Sequence, residues 1–227
     1  MAPRSYPAMN EPSRFPDVML LTAGNEQALW PVAGMPLVER VMANARAEGA
    51  TRFVANGLPG DTGVLAHFGG LVKVSREEQL LGSGGGVRQA LPMLHTDPVL
   101  VMATTGFWPE GSDTPLQRML SPYRSAHDIV LLCVHPRNAV GFARSHDFCL
   151  SPQGLVTRDY GAPVIHAGVT LLSKSAFAGT PDGPFDLDLL LETAMEREAL
   201  HGVVLDAPWL YVADEAGLAA AEQALAR

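Results

Sequence analysis

This sequence is poor in the residues that usually announce a partner or a compartment. In 227 residues there are only two cysteines, Cys133 and Cys149, each in an apolar stretch and neither with a Cys or His at metal-ligand spacing. That argues against a disulfide scaffold and points to two reduced, buried thiols, as in a cytoplasmic protein. Basic residues are scarce: Lys+Arg number 16 against Asp+Glu 24, the formal net charge is -8, and no Lys/Arg cluster occurs. A nucleic-acid backbone is neutralised by a basic face, so nucleic acid is not an expected partner. Apolar runs long enough for a membrane helix, about 18 residues, are also missing. The first sixteen residues carry four prolines and no apolar core of a signal peptide. They are expected to form a disordered tail, with one domain over residues 17–227.

What the chain does have is enough apolar material for a core. Hydrophobic residues make up 47% of it and charged residues 18%, which suits a folded domain without metal or disulfide staples. Val18-Met19-Leu20-Leu21 is apolar without polar alternation and ends at Thr22-Ala23-Gly24, the pattern of a buried parallel strand. Pro36 opens a helix with Leu37, Val38, Val41, Met42 and Ala45 at helical spacing, and Gly49 closes it. Further strands are expected over 52–56, 71–74, 98–102 and 129–134, with helices over about 61–68, after Gly84-Gly85-Gly86, and over about 114–125. Alternating strands and helices predict an α/β fold: a Rossmann-like, doubly wound sheet in three α/β/α layers. The rhythm then changes to strand-like runs at 147–151, 155–160 and 165–172, an antiparallel extension that makes the sheet mixed. A helix over 187–197, a strand over 202–205 and a last helix from Asp214 complete the pattern.

Several motifs together carry a resemblance. Met19–Gly24 followed by Pro31-Val32-Ala33-Gly34-Met35-Pro36-Leu37 resembles the opening of a sugar-1-phosphate nucleotidyltransferase. Ser75-Arg76-Glu77 with Leu80-Leu81-Gly82-Ser83-Gly84-Gly85-Gly86-Val87 resembles that family's second nucleotide loop, and Trp209-Leu210-Tyr211-Val212 its C-terminal part. The subgroup it is most similar to is the bacterial N-acetylmuramate-1-phosphate uridylyltransferases. The resemblance implies a nucleotide held by Ala23, Gly24, Gly84, Gly85 and Gly86, and a sugar phosphate near Asp147 and Gly168. His166 is a further candidate at the sugar, although a packed strand residue is the commoner role.

The same resemblance exposes what is missing. The family's first loop is long and glycine-rich and carries an Arg and a Lys; glycines bring N–H groups to the triphosphate and the cations offset its charge. Here only Asn25-Glu26-Gln27-Ala28 separate Gly24 from Leu29, with Gln27 at the Lys position and Glu26 adding negative charge. Thr105 falls at the first metal-binding Asp and Tyr211 at the second. Mg²⁺ requires hard oxygen ligands, usually carboxylates, and a phenol with a pKa of about 10 is a poor substitute. The expectation is a catalytically impaired relative that binds a nucleotide or sugar phosphate without a metal, or that serves a protein partner or a second copy of itself as a regulatory subunit. The alternative is an active Mg²⁺-dependent transferase with a rebuilt site using Glu77, Glu110 or Asp113. Asn56 and Glu77 fall at the expected ligand edge, where ordinary loop polarity is the simpler account. His135, His146 and His166 lack zinc-site spacing, Ser75 and Ser83 lack a triad arrangement, and Asp186 and Asp188 read as caps of the helix that follows.

Overall fold

The computed structural model describes residues 15–109, 111 and 114–226. The expected tail lies outside them except for its last two residues, and these correct the boundary: Phe15 and Pro16 are buried, with Phe15 in the core.

In chain order the elements are β1 (Val18–Leu21), a hairpin of β2 (Pro31–Val32) and β3 (Met35–Pro36), α1 (Leu37–Ala47), β4 (Phe53–Gly57), α2 (Thr62–Phe68), β5 (Lys73–Arg76) and α3 (Gly82–Ala90). There follow β6 (Val99–Ala103), β7 (Gly106–Phe107), α4 (Pro115–Met119), β8 (Ile129–Val134), β9 (Ala139–Val140), β10 (Phe148–Leu150), β11 (Val156–Thr157) and β12 (Ala162–Leu172). The chain closes with α5 (Asp188–Glu196), β13 (Leu200–Val204), β14 (Trp209–Tyr211) and α6 (Glu215–Leu225).

The main sheet runs β5-β4-β1-β6-β12-β8-β13. Pairs β1–β4, β1–β6, β4–β5 and β8–β13 are parallel. The long strand β12 runs antiparallel to both β6 and β8, and β10 and β11 extend the sheet from its first residues. This is the expected mixed sheet with an antiparallel extension.

Side-chain alternation explains the layers. Successive strand residues point to opposite faces, and here both faces are apolar. Val18 and Leu20 of β1, Leu100 and Met102 of β6, and Val130, Leu132 and Val134 of β8 share one core with α1, α2 and α4. Met19, Val99, Val101, Ile129, Leu131 and Cys133 share the other with α3 and α5. A strand buried on both faces has no polar side to show in its sequence.

Some boundaries differ from expectation. β5 starts two residues late because Leu71 does not enter the core and is 85% exposed. α4 is short and stops at Met119, once Leu116 and Met119 are buried. The triple glycine does not precede α3; it lies inside the helix, which begins at Gly82. Two close approaches account for a helix built on residues of low helix propensity. A Cβ on Gly84 would stand 2.4 Å from the Phe185 ring, and one on Gly86 would stand 2.6 Å from both Asn56 Nδ2 and Glu77 Oε1. Among the described residues no helix is long and apolar enough to cross a membrane.

Candidate functional site

The carboxyl ends of β1, β4, β5 and β6 share one edge of the sheet, where open α/β sheets take their ligands. The turn after β1 is tied to this edge. Asn56, near the end of β4, accepts the N–H groups of Thr22 (2.8 Å) and Ala23 (3.3 Å) on its Oδ1. The Thr22 hydroxyl donates to the Asn56 carbonyl. Asn56 Nδ2 in turn donates to Glu77 Oε1 at 2.7 Å, and Glu77 Oε2 accepts from Leu81 N–H at 3.1 Å. Glu77 is 1% exposed. It is therefore no loop residue facing solvent: its two hydrogen bonds offset part of the cost of burying a carboxylate, which an unbonded one would bear in full.

Gly24, with φ +68, donates its N–H to Asp61 Oδ2 at 3.1 Å. Beyond it, Asn25 is pinned by Nδ2 to Thr104 Oγ1 (2.9 Å), and Thr104 donates to the Leu21 carbonyl (2.8 Å). Glu26–Leu29 winds into a 3-10 turn that includes Gln27. The first loop is thus a short, fastened turn.

The second loop is fastened in the same way. Gly84 and Gly85 donate their N–H groups to the Phe185 carbonyl at 2.9 and 3.0 Å. Asp186 Oδ1 accepts from Ser83 N–H at 3.2 Å. The N–H groups of Gly84 and Gly85 thus bond to the chain's own 183–186 segment. One expectation is corrected: Asp186 caps α3 rather than α5, whose first turn has no side-chain cap. Arg88 fixes that segment further, donating to Thr180 and Pro181 carbonyls and pairing with Asp182 at 2.5 Å.

The two positions that resemble the family's metal-binding Asp residues do come together. Tyr211 of β14 stands opposite Gly106 of β7, and Val212 N–H donates to the Thr105 carbonyl at 2.7 Å. The side chains here are a hydroxyl and an aromatic group. Tyr211 packs with Phe142 and Trp209, ring centroids 5.2 Å from each, and Arg144 lies 5.1 Å from the Phe142 ring centroid. No group of three or more His, Cys, Asp or Glu able to hold a metal occurs among the described residues. Of the alternative ligands, Glu110 and Asp113 lie outside the described residues, and Glu77 is committed to Asn56 and Leu81. The donor chemistry at 105 and 211 does not fit Mg²⁺.

Asp147 and His166, each matched separately to the sugar end by the resemblance, meet: Asp147 Oδ2 accepts His166 N–H at 3.1 Å. Both line a polar cavity of about 260 Å³ with Arg144, Arg158 and Asp188. His166 lies at the start of a bulge in β12, where pairing with β8 shifts between His166 and Thr170. Burial pushes the His166 imidazole below its ordinary value, against the Val169 carbonyl that accepts from it. Gly168 is the bulge glycine, φ +76, and a Cβ there would lie 3.0 Å from Ala103 Cβ at the end of β6. A separate groove of about 430 Å³ between α5 and residues 175–180 reaches Ile129, at the other end of β8 from this edge.

No protein-family model matches the sequence. The chain is 30% identical over 219 residues to the N-acetylmuramate alpha-1-phosphate uridylyltransferase of Caulobacter vibrioides, spanning 91% of this chain and 90% of that protein. It belongs to the sugar-1-phosphate nucleotidyltransferase family. A second family relative, the bifunctional protein GlmU of Parvibaculum lavamentivorans, is 29% identical over 146 residues, 57% of this chain but 31% of that protein. The fold agrees with solved structures. HddC from Yersinia pseudotuberculosis complexed with GMP-PN superimposes with TM-score 0.72 at 15% identity, over 93% of this chain and 100% of that one. The inositol-1-phosphate CTP transferase from T. maritima gives 0.70 at 14% identity, over 89% and 91%. At this strand-end edge, Asn56 and Asp61 are the residues whose contacts the sequence undervalued or missed. Asn56 was visible as a polar residue ending an apolar strand; nothing local marks Asp61.

Proposed function

We propose that this is a catalytically silent member of the nucleotidyltransferase family, a cytoplasmic protein whose cleft binds a nucleotide or sugar phosphate without turning it over. The observation that carries the reading is that a Thr and a Tyr stand at positions 105 and 211, held side by side where Tyr211 pairs with Gly106 and Val212 N–H donates to the Thr105 carbonyl, with Tyr211 in an aromatic trio. Phosphoryl transfer depends on metal and cationic charge set against the developing negative charge. A hydroxyl and a phenol supply neither, and the four-residue first loop brings no cation. Removing one electrostatic contributor of this kind typically costs about 10²–10³ in rate, and here several are replaced at once.

The surviving recognition elements are the exposed backbone edge at Gly24, the aromatic face at Tyr211 and the polar cavity at Asp147 and His166. They select by shape and hydrogen bonding, which suits a binding or regulatory subunit. The test is a pyrophosphate-release assay with UTP, Mg²⁺ and N-acetylmuramate-1-phosphate, beside calorimetric titration of the same ligands. The expected result is no release above background, with binding that changes little on adding Mg²⁺. Robust release at micromolar enzyme would overturn the reading.

A further inference from the structure

Three consecutive N–H groups follow β1, on Thr22, Ala23 and Gly24. The first two meet Asn56 Oδ1, a neutral amide oxygen. The third meets a charge: Gly24 N–H donates to Asp61 Oδ2, which also accepts from Leu58 N–H at 2.7 Å. Asp61 occupies the N-cap position of α2, where an aspartate ordinarily accepts from the first turn of its own helix. It does not do so here; α2 has no side-chain cap. The carboxylate turns away from its helix and crosses to the loop. No Lys, Arg or His forms an ion pair with it among the described residues. Its negative charge therefore remains at this sheet edge, with Glu26 two residues beyond Gly24 in the chain. The space over Gly24 is apolar: a Cβ there would find Leu80 Cδ1 at 3.7 Å and Leu58 Cδ1 at 3.9 Å.

Resting on the reading of this cleft as a ligand site, we infer that Asp61 is a resident anion that sets the charge of the ligand. It takes the exposed loop N–H that a phosphate oxygen would use. The site then selects a nucleoside unit without a polyphosphate, held against Leu58 and Leu80, and turns away the triphosphate by like-charge repulsion. Asp61→Asn keeps the shape and one acceptor oxygen while removing the charge. Asp61→Glu keeps the charge.

The experiment is calorimetric titration of the full-length protein and both variants with uridine and with UTP. Nuclear magnetic resonance of the Gly24 amide with inorganic tripolyphosphate is run in parallel. The wild type is expected to bind uridine at least as tightly as UTP. Asp61→Asn is expected to tighten UTP by about tenfold or more and to leave uridine within about twofold. Asp61→Glu should follow the wild type, and tripolyphosphate should shift the Gly24 amide only in Asp61→Asn. An unchanged UTP-to-uridine ratio in Asp61→Asn, or wild-type UTP binding well above uridine binding, overturns the inference. So does a fall in melting temperature with no change in ratio, the mark of a purely structural aspartate. If uridine binds none of the proteins while tripolyphosphate still reaches Gly24 only in Asp61→Asn, the role of Asp61 stands and the nucleotide reading of the cleft falls.

Discussion

Val212 donates its N–H to the carbonyl of Thr105 at 2.7 Å, which fastens the turn after β6 to the end of β14 and holds positions 105 and 211 together. The two positions that resemble the family's metal-binding Asp residues therefore lie side by side without carboxylates. Restoring them, Thr105→Asp with Tyr211→Asp, is expected to give no pyrophosphate release, because the first loop still lacks a cation and its N–H groups remain engaged. The same pair should lower stability by about 1–3 kcal/mol in urea unfolding, since Tyr211 leaves its contacts with Phe142 and Trp209. Turnover from the pair alone would show that the first loop is dispensable.

Gly86→Ala is expected to destabilise the protein by about 2–4 kcal/mol. The new methyl would stand 2.6 Å from both Asn56 Nδ2 and Glu77 Oε1, so overpacking is joined by the loss of a buried hydrogen bond. Gly60→Ala is the control: nothing lies within 4 Å of its Cβ, and its effect should stay within about 0.5 kcal/mol. Chemical denaturation of the two variants separates them; equal effects would contradict this account of the helix glycines.

Arg88→Ala should loosen the 180–185 segment without unfolding the sheet. The amides of Gly84 and Gly85, which donate to the Phe185 carbonyl, should then exchange hydrogen about tenfold faster or more. Amides in β1 and β8 should keep their protection. Uniform acceleration across the molecule would mean that Arg88 supports global stability instead.

Acid is expected to weaken the fold through His166. Burial holds its folded-state pKa below the ordinary value, so it stays neutral in the fold at a pH where the unfolded chain takes up a proton. The unfolded state then binds more protons, and stability is full above about pH 6.5 and falls as pH drops toward the folded value. His166→Asn should flatten that part of the profile; the same slope in both proteins would assign it elsewhere.

The sequence was most legible where both faces of a strand are buried. β1 and β8 have the expected bounds because Val18–Leu21 and Ile129–Val134 are unbroken apolar runs ended by polar or turn residues. Short strands were not legible. Two-residue pairings such as Gly106–Phe107 with Leu210–Tyr211 have no period to detect, and they form because the neighbouring backbone is already in place. That Thr105 and Tyr211 would stand at neighbouring strand ends followed from their motif positions, which are local information. The network joining Asn56, Glu77 and Leu81, and the crossing of Asp61 to Gly24, did not. These contacts join segments tens of residues apart, and only the assembled sheet edge brings them within hydrogen-bond reach.

The glycines of α3 carry a consequence for how their motif is read. Gly84 makes room for the Phe185 ring and Gly86 for the Asn56–Glu77 bond. Both demands come from folding, so they outlast any chemistry. A side chain at either position is unfavourable in any chain that keeps this packing, whether or not that chain keeps a reaction. The glycine-rich motif is therefore a signature of how the fold closes, and a poor witness to whether chemistry is done at the strand ends.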